Sequence, residues 1–274
     1  MADAPADYFI GVNALEVARL RDQHAAWLPE TRALWREAGF ATGQHIADLG
    51  SGPGVNTFDL AQIVGPTGRI AAVDKAPPYL EFVAAESRRQ GFGNVYPVET
   101  DVSAVEAIPG DFDGAFCRFF LAFLIQNMDA ALSCIYRSLK PGGVLAAMEY
   151  LTLQSATCAP PIRGFDAHTQ GWVEYYRANG GDTAVGTYLP ERLTAAGFHV
   201  TYRACVGGMA RPGDRWWNWW GRLMEDFGDK LVSHGFMTAE ALQHLQDEWP
   251  LASKNPNAFI YTPVLLQLVA RKPQ

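Results

Sequence analysis

Apolar residues recur at two different spacings along this chain, and their alternation predicts its architecture. Between residues 14 and 39 the positions Leu15, Ala18, Leu20, Trp27, Leu34 and Trp35 follow helical spacing, with a break expected at Pro29 and a stop at Gly39. Arg19, Arg21 and Gln23 line the polar face of that segment. A short apolar run (Ile46, Ala47, Leu49) then ends in a cluster of glycines, and helical spacing resumes at Phe58, Leu60, Ala61, Ile63 and Val64. The pattern repeats. RIAAVD reads as a strand ending at Asp74, and a helix runs from Pro77 to Gln90. NVYPVET and FDGAFCRFF read as the third and fourth strands, a helix covers Met128 to Leu139, and VLAAMEY reads as the fifth strand. Such alternation predicts a parallel, doubly wound α/β sheet. Ligands of such sheets bind outside the carboxyl ends of the strands, where Gly50, Asp74, Asp101, Arg118 and Glu149 fall.

The second half departs from this rhythm. Residues 151–185 read as an insertion with Trp172, Tyr175 and Tyr176 at helical spacing. Tyr188 to Ala196 reads as a helix stopped by Gly197, and FHVTYRACV as a strand. A long helical stretch from Arg215 to Pro250 holds Trp216, Trp217, Trp219, Trp220 and Trp249, and AFIYTPVLLQLVARK closes the chain as a strand. In WWNWW, positions 216, 219 and 220 share a helical face, a stripe suited to core packing, a subunit interface or an aromatic wall for a flat or cationic substrate.

Composition narrows the function. The 274 residues carry a net charge of −7 and no dense Lys/Arg run, which argues against nucleic acid as a partner. The four scattered cysteines fit reduced thiols in a cytosolic protein better than a disulfide framework. MADAPADYFIG lacks the apolar core of a signal peptide, and the most apolar stretch, Ala115 to Ile125, is too short to span a bilayer. A cytoplasmic location is therefore expected. The six histidines include no pair at metal-binding spacing, so no metal is expected.

The glycine cluster carries the cofactor reading. In QHIADLGSGPGVN the spacing is G-x-G-x-G (Gly50, Gly52, Gly54), where dinucleotide folds place the third glycine one residue later. Glycines there permit positive φ and close approach of a ligand to the backbone, at the positive end of the following helix. DLGSGPG, Asp74, Asp101-Val102 and the LKPGG run at 139–143 stand in the order and at the approximate intervals of the class I S-adenosylmethionine (SAM) methyltransferases, which the chain resembles, most in the small-molecule branch that includes the quinone-biosynthesis enzymes.

That resemblance implies a single Rossmann-like domain over residues 1–274, with a seven-stranded sheet, mostly parallel with an antiparallel last strand. It further implies an N-terminal helical cap (1–40) and lid insertions (151–185 and 207–257). SAM would be held by Asp48, Gly50, Gly52, Gly54, Asp74 with its neighbour Lys75, Asp101, Val102 and Arg118, together with Tyr8 and Gln23 from the cap. Asp74 would accept the ribose diol and Asp101 the adenine amino group. Arg118 has two further readings, a grip on a substrate anion or an ion pair with Asp111 or Asp113. Methyl transfer needs a base only where the nucleophile must lose a proton. Glu149, Tyr150 and His168 (in a stretch read as a loop) are candidates, with Glu149 and His168 taken as catalytic. Tyr150, Trp172, Tyr176, Trp216 and Trp220 are expected to line the pocket of a small acceptor, aromatic or largely apolar, methylated on oxygen, nitrogen or carbon. Three alternatives stand beside this reading: a SAM-binding enzyme without methyl transfer, such as a cyclase; a nicotinamide-dependent oxidoreductase; and a dimeric scaffold. A homodimer is expected as a partner state.

Overall fold

The computed structural model describes residues 14–274; Tyr8 lies outside them. The chain opens with a 24-residue helix, α1 (Ala14–Glu37), and then alternates β1 (His45–Leu49), α2 (Thr57–Val64), β2 (Arg69–Asp74), α3 (Pro77–Gln90), β3 (Val95–Glu99), β4 (Phe112–Arg118), α4 (Met128–Ser138) and β5 (Leu139–Thr152). β6 (Thr157–Ala159), α5 (Phe165–Ala178), α6 (Leu189–Ala195) and β7 (His199–Val206) follow. The chain ends with β8 (Met209–Ala210), α7 (Arg215–Ser233), α8 (Ala239–Ala252), β9 (Phe259–Tyr261) and β10 (Val264–Arg271).

The main sheet has seven strands in the order β3-β2-β1-β4-β5-β10-β7, and β10 alone runs antiparallel to its neighbours. Its central strands are apolar without alternation because helices cover both faces: Ile46, Ala47, Leu49 and the Ile70–Val73 run are all buried. Register then builds the functional edge. Leu49 pairs with both Val73 and Cys117, Asp74 with Glu99, and Arg118 with Met148. Gly50, Asp74, Thr100, Arg118 and Glu149 therefore come to nearly one level at the carboxyl edge of the parallel strands, from five separate chain segments.

Several elements differ from the sequence-based expectation. α1 runs unbroken through Pro29. Proline removes the one helical hydrogen bond to the Ala25 carbonyl, and neighbouring carbonyls of the helix are tied to other elements: Arg215 Nη1 donates to the Ala26 carbonyl and Gln267 Nε2 to that of Glu30. The 215–250 stretch is two helices separated by Gly235, which takes a φ of 75°. LKPGG is the bulged start of β5, with Gly142 at a φ of 76° and a register shift against β4, and α4 ends on an extended Leu139 with no glycine cap. The last strand divides at Thr262-Pro263. β9 leaves it to form a small sheet, β6-β9-β8, that the sequence pattern did not foretell.

The segments expected as lids pack together with α1 into one helical layer. Trp27 of α1 meets Trp216 at 5.1 Å and Trp219 at 5.4 Å, and Arg215 pairs with Glu30. Among the described residues, no helix is long and apolar enough to cross a membrane.

Candidate functional site

The glycine turn between β1 and α2 holds Gly50, Gly52 and Gly54 at φ values of 63°, 51° and 81°, where residues with a Cβ are strained. The glycines serve different ends. A Cβ on Gly50 would stand 2.3 Å from Phe120 Cδ2, so the ring of Phe120 lies against that backbone. Among the described residues a Cβ on Gly52 would find only Leu20 Cδ1 at 4.0 Å, which leaves room for a ligand beside it. Ser51 N–H donates to the Val73 carbonyl, tying the turn to β2.

Asp74 sits beside this turn. Its Oδ2 accepts the Gly52 N–H and its Oδ1 the Ala76 N–H, both at 2.9 Å. Burial pushes its pKa above the ordinary value, against the pull of those amides. Exposed Lys75 lies close enough to favour the ionised forms of both Asp74 and Asp101. Asp101 folds back on Ser103, accepting from its N–H and hydroxyl, which holds its pKa low; the neighbouring Val102 is buried. Thr100 N–H donates to the Asp74 carbonyl, so the loops after β2 and β3 are joined.

Asp48 stands further inside. Its Oδ2 accepts the Thr57 hydroxyl at 2.5 Å, and burial raises its pKa to about 7. Arg118 is also buried, its pKa pulled down to about 10 by desolvation. The expected pairing with Asp111 or Asp113 does not occur: Asp113 pairs with Lys140, while Arg118 donates to Thr31 Oγ1 and to His24 Nδ1. His24 Nδ1 also lies 3.1 Å from Asn56 Oδ1 and its Nε2 3.3 Å from Asp59, and burial lowers its pKa. The guanidinium thus fastens α1 to the sheet through a histidine that sequence reasoning did not single out. Gln23, expected to face the cofactor, accepts from Arg19 at 3.0 Å; Arg19 in turn makes a buried two-bond pair with Glu16.

On the far side of β4, Glu149 is fully buried, and its Oε1 accepts the N–H groups of Phe120 and Leu121, each at 2.8 Å. Burial lifts its pKa to about 7. Phe119, at the start of that turn, is the one non-glycine residue with positive φ (55°) among those described. Its ring stacks on Tyr150 at 4.8 Å, Tyr150 meets Tyr176 edge-on at 6.1 Å, and Tyr176 stacks on Phe123 at 4.5 Å. Trp172 joins through Tyr175. Tyr150, Trp172 and Tyr176 thus stand in one aromatic group with Phe119, Phe123 and Tyr175, and Glu149 precedes Tyr150 on β5.

The other acceptor-side residues lie elsewhere. His168 is on α5, not in a loop, and has no exposed surface; its Nε2 accepts from Trp172 Nε1 and its ring meets Trp220 edge-on. Burial drops its pKa to about 3, so it is a neutral core histidine. Trp220, also without exposed surface, stacks on Phe165 at 5.5 Å. Trp216 packs between Trp27 and the Arg215 guanidinium, and Trp217 stacks on Trp249 at 4.2 Å. The tryptophan stripe is spent on packing within the chain.

Residues 46–143 match the family model described as a methyltransferase domain. Over that span the chain is similar to methyltransferases. It is 33% identical over 131 residues to the ubiquinone/menaquinone biosynthesis C-methyltransferase UbiE of Pseudoalteromonas translucida, covering 46% of this chain and 49% of that one. It is 31% identical over 127 residues to the demethylmenaquinone methyltransferase of Lactococcus lactis, with the same coverage. The chain spans about half the length of these curated relatives. Among solved structures it resembles the [4+2]-cyclase SpnF (TM-score 0.58, 20% identity, 92% of this chain and 82% of that one). Coclaurine N-methyltransferase, bound to N-methylheliamine and S-adenosylhomocysteine, is similar too (TM-score 0.57, 16% identity, 89% and 72%). At such identities these two likenesses speak for the fold. SAM is the cofactor of this class, and the methyltransferase domain fits it: the open face of Gly52 adjoins the Asp74 carboxylate, and Asp101 stands one strand further along.

Proposed function

We propose that this chain transfers a methyl group from SAM to a small acceptor, aromatic or largely apolar. One observation carries the reading most: among the described residues the turn at Gly50–Gly54 leaves space beside Gly52, whose N–H meets the carboxylate at the end of β2. The cofactor brings an already activated methyl on its sulfonium, so the protein's task is alignment and exclusion of water. Alignment alone is worth up to about 7–11 kcal/mol. Asp74 and Asp101 supply acceptors for the ribose and the adenine amino group, and Val102 an apolar surface. The aromatic group of half-buried Phe119 and Phe123 with buried Tyr150 and Tyr176 supports an apolar acceptor on the other side of β4. His168, neutral and enclosed by tryptophans, is left out of the chemistry.

Calorimetric titration of SAM and of NAD against wild type and Asp74→Ala tests the reading. Saturable SAM binding by wild type, weakened about tenfold or more by loss of the carboxylate's hydrogen bonds, is the expected result. Tight NAD binding with no response to SAM would overturn it.

A further inference from the structure

The carboxylate of Glu149 is one of the most costly groups in the fold, buried without residue and carrying a second oxygen, Oε2, with no hydrogen-bond partner among the described residues. Its first oxygen is spent on a single object, the turn that leaves β4. Receiving two consecutive N–H groups at 2.8 Å fixes the orientation of the Phe120 and Leu121 peptides. Phe119, whose own N–H donates to the Met148 carbonyl at 3.1 Å, must then take a left-handed conformation that a bulky residue avoids. Two ring placements follow. Phe119 turns onto Tyr150, on the acceptor side, and Phe120 turns the other way, onto Gly50 of the cofactor turn.

We infer that Glu149 is a positioning residue of the cofactor pocket: by holding the Phe119–Leu121 turn it presses the Phe120 ring against Gly50 and sets the shape of the glycine turn from behind. The inference rests on the reading that this turn binds SAM. What matters for it is the oxygen that accepts two amides, not the negative charge. A glutamine at 149 presents such an oxygen at the same reach, whereas an aspartate keeps the charge but is one methylene too short to meet both amides.

The test compares wild type, Glu149→Gln and Glu149→Asp by calorimetric titration with S-adenosylhomocysteine, with thermal unfolding and hydrogen exchange of the Phe120 and Leu121 amides measured alongside. Glu149→Gln is expected to bind within about threefold of wild type and to keep both amides protected. Glu149→Asp should bind about tenfold or more weakly and expose at least one amide, the effect of losing one such bond. Wild-type affinity in Glu149→Asp, or a loss in Glu149→Gln as large as in Glu149→Asp, would overturn the inference while leaving SAM binding intact. Absence of binding by wild type would instead overturn the cofactor reading on which it stands. Should Glu149→Asp not fold, Phe120→Leu leaves β5 untouched and removes the ring from Gly50. It is expected to weaken binding similarly, and unchanged affinity there refutes the coupling.

Discussion

Alanine at Gly50 and at Gly52 should have different consequences, although the two glycines lie in one turn and both take positive φ. At Gly50 the φ of 63° costs an L residue about 1–2 kcal/mol. The added methyl would also stand 2.3 Å from Phe120 Cδ2 and 2.9 Å from its Cγ, so that the ring must leave its place. Overpacking of this kind costs about 1–3 kcal/mol, for a total of about 2–5 kcal/mol. At Gly52 the φ of 51° carries the same backbone cost, but the nearest side-chain atom is 4.0 Å away, ordinary contact. Gly50→Ala should therefore destabilise by about 1–3 kcal/mol more than Gly52→Ala in urea unfolding at constant m. Gly52→Ala should lose SAM affinity out of proportion to its stability, because its methyl enters the space left for a ligand.

The cause can be isolated. Phe120→Ala in the Gly50→Ala background removes the clash and leaves the backbone strain. A double-mutant cycle should then give a coupling of about 1–3 kcal/mol, the size of the steric part alone. Equal destabilisation by the two alanines, or no coupling between positions 50 and 120, would refute the claim that Gly50 is reserved for the Phe120 ring.

Two other outcomes follow from the packing and from the buried carboxyls. Trp220→Ala should cost about 3–5 kcal/mol in chemical denaturation, since the indole is fully enclosed by Phe165, His168 and Trp219; a loss under about 1 kcal/mol would return that residue to a pocket wall. Burial raises Asp48 from 3.8 and Glu149 from 4.5 to about 7, so the native state keeps protons that the unfolded chain has released. Their contribution to stability is thus full below the ordinary carboxylate range, falls as pH rises toward about 7, and is level beyond. Asp48→Asn should flatten that fall when unfolding free energy is followed against pH, and an unaltered slope would show Asp48 ionised throughout.

The cofactor side was legible in the sequence because its requirements are local. A glycine turn needs particular residue types at fixed offsets, and an acid at the end of a strand is found by counting along an apolar run. The acceptor side was less legible because its residues are placed by partners far along the chain. Pro29 reads as a helix break, yet the helix passes through it, held on either side by Arg215 and Gln267, 189 and 237 residues from the Ala26 and Glu30 carbonyls they bond. His168 looks solvated between polar neighbours until α7 closes over it. Arg118 suggests an anion site, yet its partners, Thr31 and His24, lie 87 and 94 residues upstream. WWNWW had a visible face at 216, 219 and 220, but nothing local says that Trp27 covers part of it or that Trp217 has its own partner in Trp249.

The matched family span ends at Gly143, six residues before Glu149 and well before the helices that enclose Tyr150 and Tyr176. The glycine turn and its acids therefore lie within the span that matches the methyltransferase domain, while the aromatic group is divided, Phe119 and Phe123 inside that span and Tyr150 and Tyr176 beyond it. Between the two stands one turn, 119–121, inside the matched span but held by a carboxylate outside it. A change in the acceptor half that moves β5 must move Glu149, and through Phe120 it must reach Gly50. Acceptor-side substitutions on β5 are thereby expected to alter SAM affinity, whereas substitutions confined to α7 and α8, which touch neither residue, are expected to act on stability alone.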